Sequence, residues 1–247
     1  MTPKPTSVQL FATCLVEAIR PGAGLAVVAV LERLGLTVEY PGGQTCCGQP
    51  AFNAGAWADA RPMAKHTIEV LSKSGAPVVV PSGSCADMII HHYPELLADD
   101  PAYGPRASAL AARTYEFTQF VVEVMGVTGI ASSFKGKVAY HPSCHLLRGL
   151  NNRTAPEQLL ASLKDAEVVD IPDAETCCGF GGLFAVKMSD LSGAMLKHKL
   201  DTIEQTGAQT IVGCDISCLL HIEGGLHRRG AKIETKHLAE LLAHNPK

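Results

Sequence analysis

The sequence predicts an α/β protein of two similar lobes, each built from parallel-sheet βαβ units and related by a pseudo-twofold. Three observations carry this. Cys-Cys-Gly occurs twice, at Cys46-Cys47-Gly48 and Cys177-Cys178-Gly179, inside one larger pattern that reads C-x31-CC-x37-C and then C-x32-CC-x39-C. Strand-like runs alternate with helical patterns in both halves, which implies βαβ units and parallel sheets. Prolines and glycines punctuate the two halves at corresponding places.

Each element has a counterpart. Residues 8–14 and 138–144 are short strand candidates that run into Cys14 and Cys144. Apolar segments follow at 25–34 and 159–163, and lead to second strands at 37–40 and 168–171, closed by Pro41 and Pro172. After each Cys-Cys-Gly comes a long helical pattern. Trp57, Ala60, Ala64, Ile68 and Leu71 recur at three- and four-residue steps; Met188, Leu191, Met195 and Ile203 fall near one face. Gly75 and Gly207 are expected to end these helices. Third strands at 78–80 and 210–212 deliver Cys85 and Cys218. The closing segments, Tyr115-Glu116-Phe117 with Phe120 and Ile233-Glu234-Thr235 with Leu238, read as matching helices. Gly, Ser and Thr interrupt the pattern over 126–136, so the domains are expected at 1–130 and 131–247. In open α/β sheets ligands gather at the carboxyl ends of the strands, so the thiols of each half should converge at one sheet edge.

The chain of 247 residues is 47% hydrophobic, enough for two small cores. A net charge of −3 and scattered Lys and Arg argue against a nucleic-acid protein; His227-Arg228-Arg229 reads as solvated surface. Aromatics make up 5%, too few for a base-stacking platform. The stretch from Met1 to Pro5 has no apolar signal region, and the apolar run 25–31 is far short of a membrane span. The expectation is a cytoplasmic protein, where clustered cysteines mean metal or redox chemistry more often than disulfides.

Eight of the nine cysteines obey the repeat; Cys214 stands outside it. A single cysteine reads as a small buried apolar residue, but two matched sets do not. Structural zinc favours two close pairs of the C-x2–4-C kind, and adjacent thiols such as Cys46 and Cys47 chelate one small ion poorly, which leaves zinc as the alternative. An iron–sulfur cluster offers several irons to neighbouring thiolates and suits soft ligands. Gly48 and Gly179 permit close backbone approach, and Gly181-Gly182 add freedom beside the second pair. Gly179-x-Gly181-Gly182 lacks the Lys-Ser/Thr of a phosphate loop and the full dinucleotide fingerprint.

Five segments carry a family resemblance: Thr13-Cys14-Leu15-Val16, residues Cys46-Cys47-Gly48-Gln49-Pro50-Ala51, Pro81-Ser82-Gly83-Ser84-Cys85, Ser143-Cys144-His145 and Cys177-Cys178-Gly179-Phe180-Gly181-Gly182. The duplicated CCG cysteine-rich domain resembles that of heterodisulfide reductase and of the iron–sulfur subunits of glycolate oxidase and anaerobic glycerol-3-phosphate dehydrogenase. End to end, the chain resembles the lactate utilisation protein A family. The resemblance implies an iron–sulfur redox subunit of an L-lactate (2-hydroxy acid) oxidising complex, relaying electrons with two partner proteins, one of them ferredoxin-like. By position it implies Cys14, Cys46, Cys47 and Cys85 as ligands of one site and Cys144, Cys177, Cys178 and Cys218 as ligands of the other. The fullest CCG pattern ends in Cys-x-x-Cys, but Ser82 and Asp215 hold the first of those positions here. Each site therefore has four matched thiols, the number an ordinary 4Fe–4S cluster needs, in one half or both. Cys214 beside Asp215 is a substitute ligand or an unused thiol. A thiol/disulfide redox enzyme akin to heterodisulfide reductase and a zinc-stabilised scaffold are the alternative functions.

His141 and His145 flank Cys144 and have no equivalent around Cys14. They read either as structural histidines or as groups that tune a cluster or move a proton. Arg148 reads as structural or as a carboxylate contact. His91, His92 and His221 receive no role. No Ser-His-Asp set, paired carboxylates, or flavin or nicotinamide fingerprint stands out, so a hydride-carrying cofactor is not expected on this chain.

Overall fold

The computed structural model describes residues 3–244, and Met1 and Thr2, on which part of the N-terminal reading rests, lie outside them. The chain divides into two compact units, Met1–Gly126 and Val127–Lys247.

The first unit holds a four-stranded parallel sheet of β1 (Ser7–Leu10), β2 (Thr37–Glu39), β3 (Val78–Val80) and β4 (Thr114–Glu116), in the order β2-β1-β3-β4. The chain moves from β1 to β2 in one direction and crosses back to β3 in the other. Right-handed crossovers then put the helix Pro21–Arg33 and the helix Trp57–Leu71 on opposite faces. Val27, Val30 and Leu31 from the one, and Ala60, Ala64, Ile68 and Leu71 from the other, are buried with Val8, Val78, Val79 and Val80. Burying each large aliphatic side chain contributes on the order of 2 kcal/mol. The reversal of winding between β1 and β3 makes their carboxyl ends the switch point, where such sheets bind ligands.

The second unit repeats the plan. Its strands β5 (Ser133–His141), β6 (Lys164–Val169), β7 (Thr210–Gly213) and β8 (Glu234–His237) form a parallel sheet in the order β6-β5-β7-β8. The helix Thr154–Ala161 links β5 to β6, and the helix Ser189–Gln205 precedes β7. The predicted two-lobed, parallel α/β fold is the one observed.

Several local readings change. Each sheet has a fourth strand where the sequence suggested only a closing helix. A short helix follows each, and Glu116 and His237 cap those helices through side-chain acceptance of backbone N–H groups. The true counterpart of Glu116 is thus His237, three residues beyond the Glu234 that the residue types suggested. Gly207, at φ 63°, follows the end of its helix as expected, but the first-half helix stops at Leu71 and Gly75 lies beyond it in the loop. The buried face of Ser189–Gln205 is Ser192, Leu196, Lys199, Leu200, Thr202 and Ile203; Met188 and Leu191 are more than half exposed. Hydrophobicity misplaced that face because three of its inward positions, Ser192, Lys199 and Thr202, are polar and bond to backbone carbonyls. Trp57 is also substantially exposed, stacked on Phe52 with ring centroids 5.4 Å apart.

Candidate metal centres

The four matched cysteines of each half arrive from three elements at the carboxyl end of its sheet. In the first half, Cys14 opens the short helix Cys14–Ile19 after β1. Cys46 and Cys47 lie in the loop after β2, and Gly48 caps the next helix, Gln49–Asn53. Cys85 is the third residue of the helix Gly83–Asp87 after β3. In the second half, Cys144 precedes the helical turn His145–Gly149 after β5, and Cys177 and Cys178 lie in the loop before Gly179. Cys218 is the third residue of the helix Ile216–Arg228 after β7.

The thiols of each set touch in sequence. Cys14 meets Cys46, Cys46 meets Cys47, and Cys47 Sγ lies 3.3 Å from Cys85 Sγ. Cys144 meets Cys177, Cys177 meets Cys178, and Cys178 meets Cys218. Hydrogen bonds from Cys14 and then Cys47 pull the Cys46 thiol down to about 3. Bonds from Cys144 and then Cys178 pull Cys177 down to about 2. The partners move the other way: the bond to Cys46 raises Cys14 and Cys47, and the bond to Cys177 raises Cys144 and Cys178. In each set the thiol that opens the Cys-Cys pair is therefore the one most readily ionised. Four converging, half-buried to buried thiols are a donor set that fits a thiophilic metal ion or an iron–sulfur group.

The backbone around each pair is specialised. Gly48 and Gly179 sit at φ 87° and 89°, a left-handed conformation that residues with a Cβ adopt only with strain. Both press on the long helix that follows. A Cβ on Gly48 would meet Met63 Cβ at 3.3 Å, whereas one on Gly179 would fall 2.7 Å from the Ser192 carbonyl oxygen. Thr13, just before Cys14, has φ 69° and ψ 148°, a conformation costing on the order of 1–3 kcal/mol that nothing in the residue type announces.

The remaining sequence candidates separate. His141 ends β5, is 1% exposed, and is held neutral with its pKa near 3, chiefly by burial. One of its ring nitrogens lies within 4.8 Å of the sulfurs of Cys178 and Cys218, a proximity that the sequence position beside Cys144 did not identify. His145 is half-buried in the turn after Cys144. Arg148 is exposed and donates to the Glu175 carbonyl at 3.1 Å, so it braces the loop that carries Cys177. Ser82 and Asp215 occupy equivalent N-cap positions before Cys85 and Cys218. The Asp215 carboxylate accepts from the Ser217 N–H and hydroxyl. Cys214 is fully buried directly after β7, where Pro81 stands in the first half.

Three side chains that the sequence left unassigned also support the sites. The Tyr93 hydroxyl, fully buried, donates to the Cys47 carbonyl at 2.8 Å. Lys199, also fully buried, donates to the carbonyls of Asp173 and Ala174 at 3.1 and 2.9 Å. His221 packs edge-on to Phe180 and reaches Ser192 Oγ at 3.4 Å. Only Lys199 carried a signal, a charge at an inward helical position.

Comparison with known proteins agrees with this geometry. The CCG cysteine-rich domain family matches residues 8–90 and 138–223, one copy in each unit. The chain is 47% identical over 95% of its length to the "Lactate utilization protein A" of Macrococcus caseolyticus, covering 95% of that protein. Identity to the protein of the same name from Bacillus pumilus is also 47%, over 95% of this chain and 98% of that one. The crystal structure of a hypothetical protein from Helicobacter pylori shares the fold, with a TM-score of 0.63 at 14% identity. It matches 99% of this chain, which spans about half (51%) of that structure's length. Among the described residues no helix is long and apolar enough to cross a membrane. The chain belongs to the lactate utilization protein A family, and it carries the CCG cysteine-rich domain twice.

Proposed function

We propose that the chain is a cytoplasmic iron–sulfur redox subunit in the oxidation of L-lactate or a related 2-hydroxy acid. It works with two partner proteins, one of them ferredoxin-like, and holds 4Fe–4S clusters through Cys14, Cys46, Cys47 and Cys85 and through Cys144, Cys177, Cys178 and Cys218. The observation that carries the metal reading is the convergence of four thiols in each half on one sheet edge. Support for the pathway comes from the relatives, which bear the name lactate utilization protein A over nearly their whole length. A bound iron–sulfur group supplies one-electron transfer. The chain's own residues hold the thiols, with Gly48 and Gly179 bringing the loops against their helices and Tyr93 and Lys199 fixing the loop carbonyls. One observation favours a second reading, a single zinc ion in the second half: the ligand atoms of His141, Cys178 and Cys218 lie within 4.8 Å of one another, within reach of one ion after small side-chain shifts.

Protein purified anaerobically is expected to be brown, to contain iron and acid-labile sulfide, and to give an EPR signal on reduction. Colourless protein with stoichiometric zinc would refute the iron–sulfur assignment. A deletion strain without a redundant lactate dehydrogenase is expected to fail to grow on L-lactate as sole carbon source; normal growth removes the lactate assignment.

A further inference from the structure

The two halves differ at the position three residues before their first cysteine. It is Phe11 in the first half and His141 in the second. Each stands at the carboxyl end of the first strand of its sheet, and each is 1% exposed. Phe11 needs no polar partner. His141 does, yet neither of its ring nitrogens has a hydrogen-bond partner among the described residues.

We propose that His141 is a nitrogen ligand of the metal centre in the second half, beside Cys178 and Cys218. That centre is then a mixed sulfur–nitrogen site, while the centre of the first half is all sulfur. The inference rests on the reading that the thiols hold metal.

Three observations support it. Buried polar groups are almost always paired, so a buried imidazole with two unpaired nitrogens points to a partner that is not part of the chain. One of its ring nitrogens and the sulfurs of Cys178 and Cys218 all lie within 4.8 Å of one another, close enough for one metal atom to reach all three with small side-chain shifts. Imidazole is also a natural ligand of iron and zinc, and it serves in place of cysteine in some iron–sulfur centres. A neutral imidazole adds a nitrogen donor without adding negative charge, so the second centre differs in its electronics from the all-sulfur first centre. The two halves therefore offer electrons two unequal stations.

X-ray absorption at the edge of the bound metal tests this on full-length, anaerobically purified protein. A Cys46→Ser/Cys47→Ser variant isolates the second centre, and a Cys177→Ser/Cys178→Ser variant isolates the first. Expected are imidazole scattering from one histidine per metal centre in the former and a sulfur-only shell in the latter. Adding His141→Phe to the former should abolish the imidazole signal. A sulfur-only second centre, or imidazole scattering that survives His141→Phe, overturns the proposal while the thiol reading stands. If His141→Phe does not fold, the spectrum of the isolated second centre with His141 intact decides alone. Wild-type protein that binds no metal overturns both readings, and metal analysis tells the two failures apart.

Discussion

The two halves present their thiols alike and brace them differently. In both, the first cysteine follows the first strand, the pair precedes a left-handed glycine, and the last is the third residue of a helix. Beneath this frame the supports diverge. In the first half the Tyr93 hydroxyl holds the Cys47 carbonyl and His66 donates to the Gly43 carbonyl at 2.7 Å. In the second, Leu226 replaces Tyr93 at the matching position, and Lys199, Arg148 and Ser192 hold the carbonyls of Asp173, Ala174, Glu175 and Gly179. Strand ends and a backbone turn therefore set where the sulfurs go. The loop carbonyls need donors, but any donor of suitable reach serves.

The most severe test of the matched frame is removal of the buried thiol of each pair. Cys47→Ser and Cys178→Ser should each lose about half of the bound metal, measured as metal per chain on anaerobically purified protein, and the double variant should lose nearly all. Unchanged metal in both single variants refutes the ligand assignment. Loss confined to one half would show that the frames are alike but only one is loaded.

Substituting the glycines sharpens the comparison. Gly48→Ala should destabilise by about 1–2 kcal/mol, the cost of placing a Cβ in the left-handed region. Gly179→Ala should cost about 1–3 kcal/mol more, because its Cβ would meet a helix carbonyl oxygen at 2.7 Å, and backbone there cannot yield without moving the helix. Urea denaturation of the two variants checks this. Equal losses would show that the second half relieves the contact at little cost.

The repeat made the frame legible, because a doubled spacing of cysteines, prolines and glycines fixes which strand ends meet. The bracing was not legible. Tyr93 and Lys199 act through bonds to backbone carbonyls far away in sequence; Lys199 was marked only as a charge at an inward helical position, and Tyr93 by nothing. The fourth strands were missed because Thr114–Glu116 and Glu234–His237 are short and run straight into helices, so neither period dominates. His141 was noticed beside Cys144, but the sulfurs it faces belong to Cys178 and Cys218, which only the fold brings near.

The braces themselves are expected to matter less than the turn at Gly179. Lys199→Met removes two charge-assisted bonds, worth about 1.5–3 kcal/mol each, but also relieves the burial of an ammonium group, leaving a net loss of roughly 1–2 kcal/mol. Tyr93→Phe removes one neutral bond and should cost about 1 kcal/mol. Denaturation midpoints measure both. A loss at Tyr93 exceeding that at Lys199 would reverse the ranking of the two supports.

The smallest effect on metal is expected at Cys214, the thiol outside the repeat. Its backbone position is that of Pro81, which has no side chain able to bind metal, so the first half builds its four-thiol set without a donor there. Cys214 is completely buried, and a serine hydroxyl in its place carries the desolvation cost of a polar group, about 1–3 kcal/mol where no partner is found. Cys214→Ser should therefore lower the denaturation midpoint while metal per chain stays within error of the wild type. The two readouts separate a packing role from a ligand role, since a ligand loses metal first. A metal loss as large as that of Cys178→Ser would place a fifth sulfur in the second half and end the equivalence of the two sets.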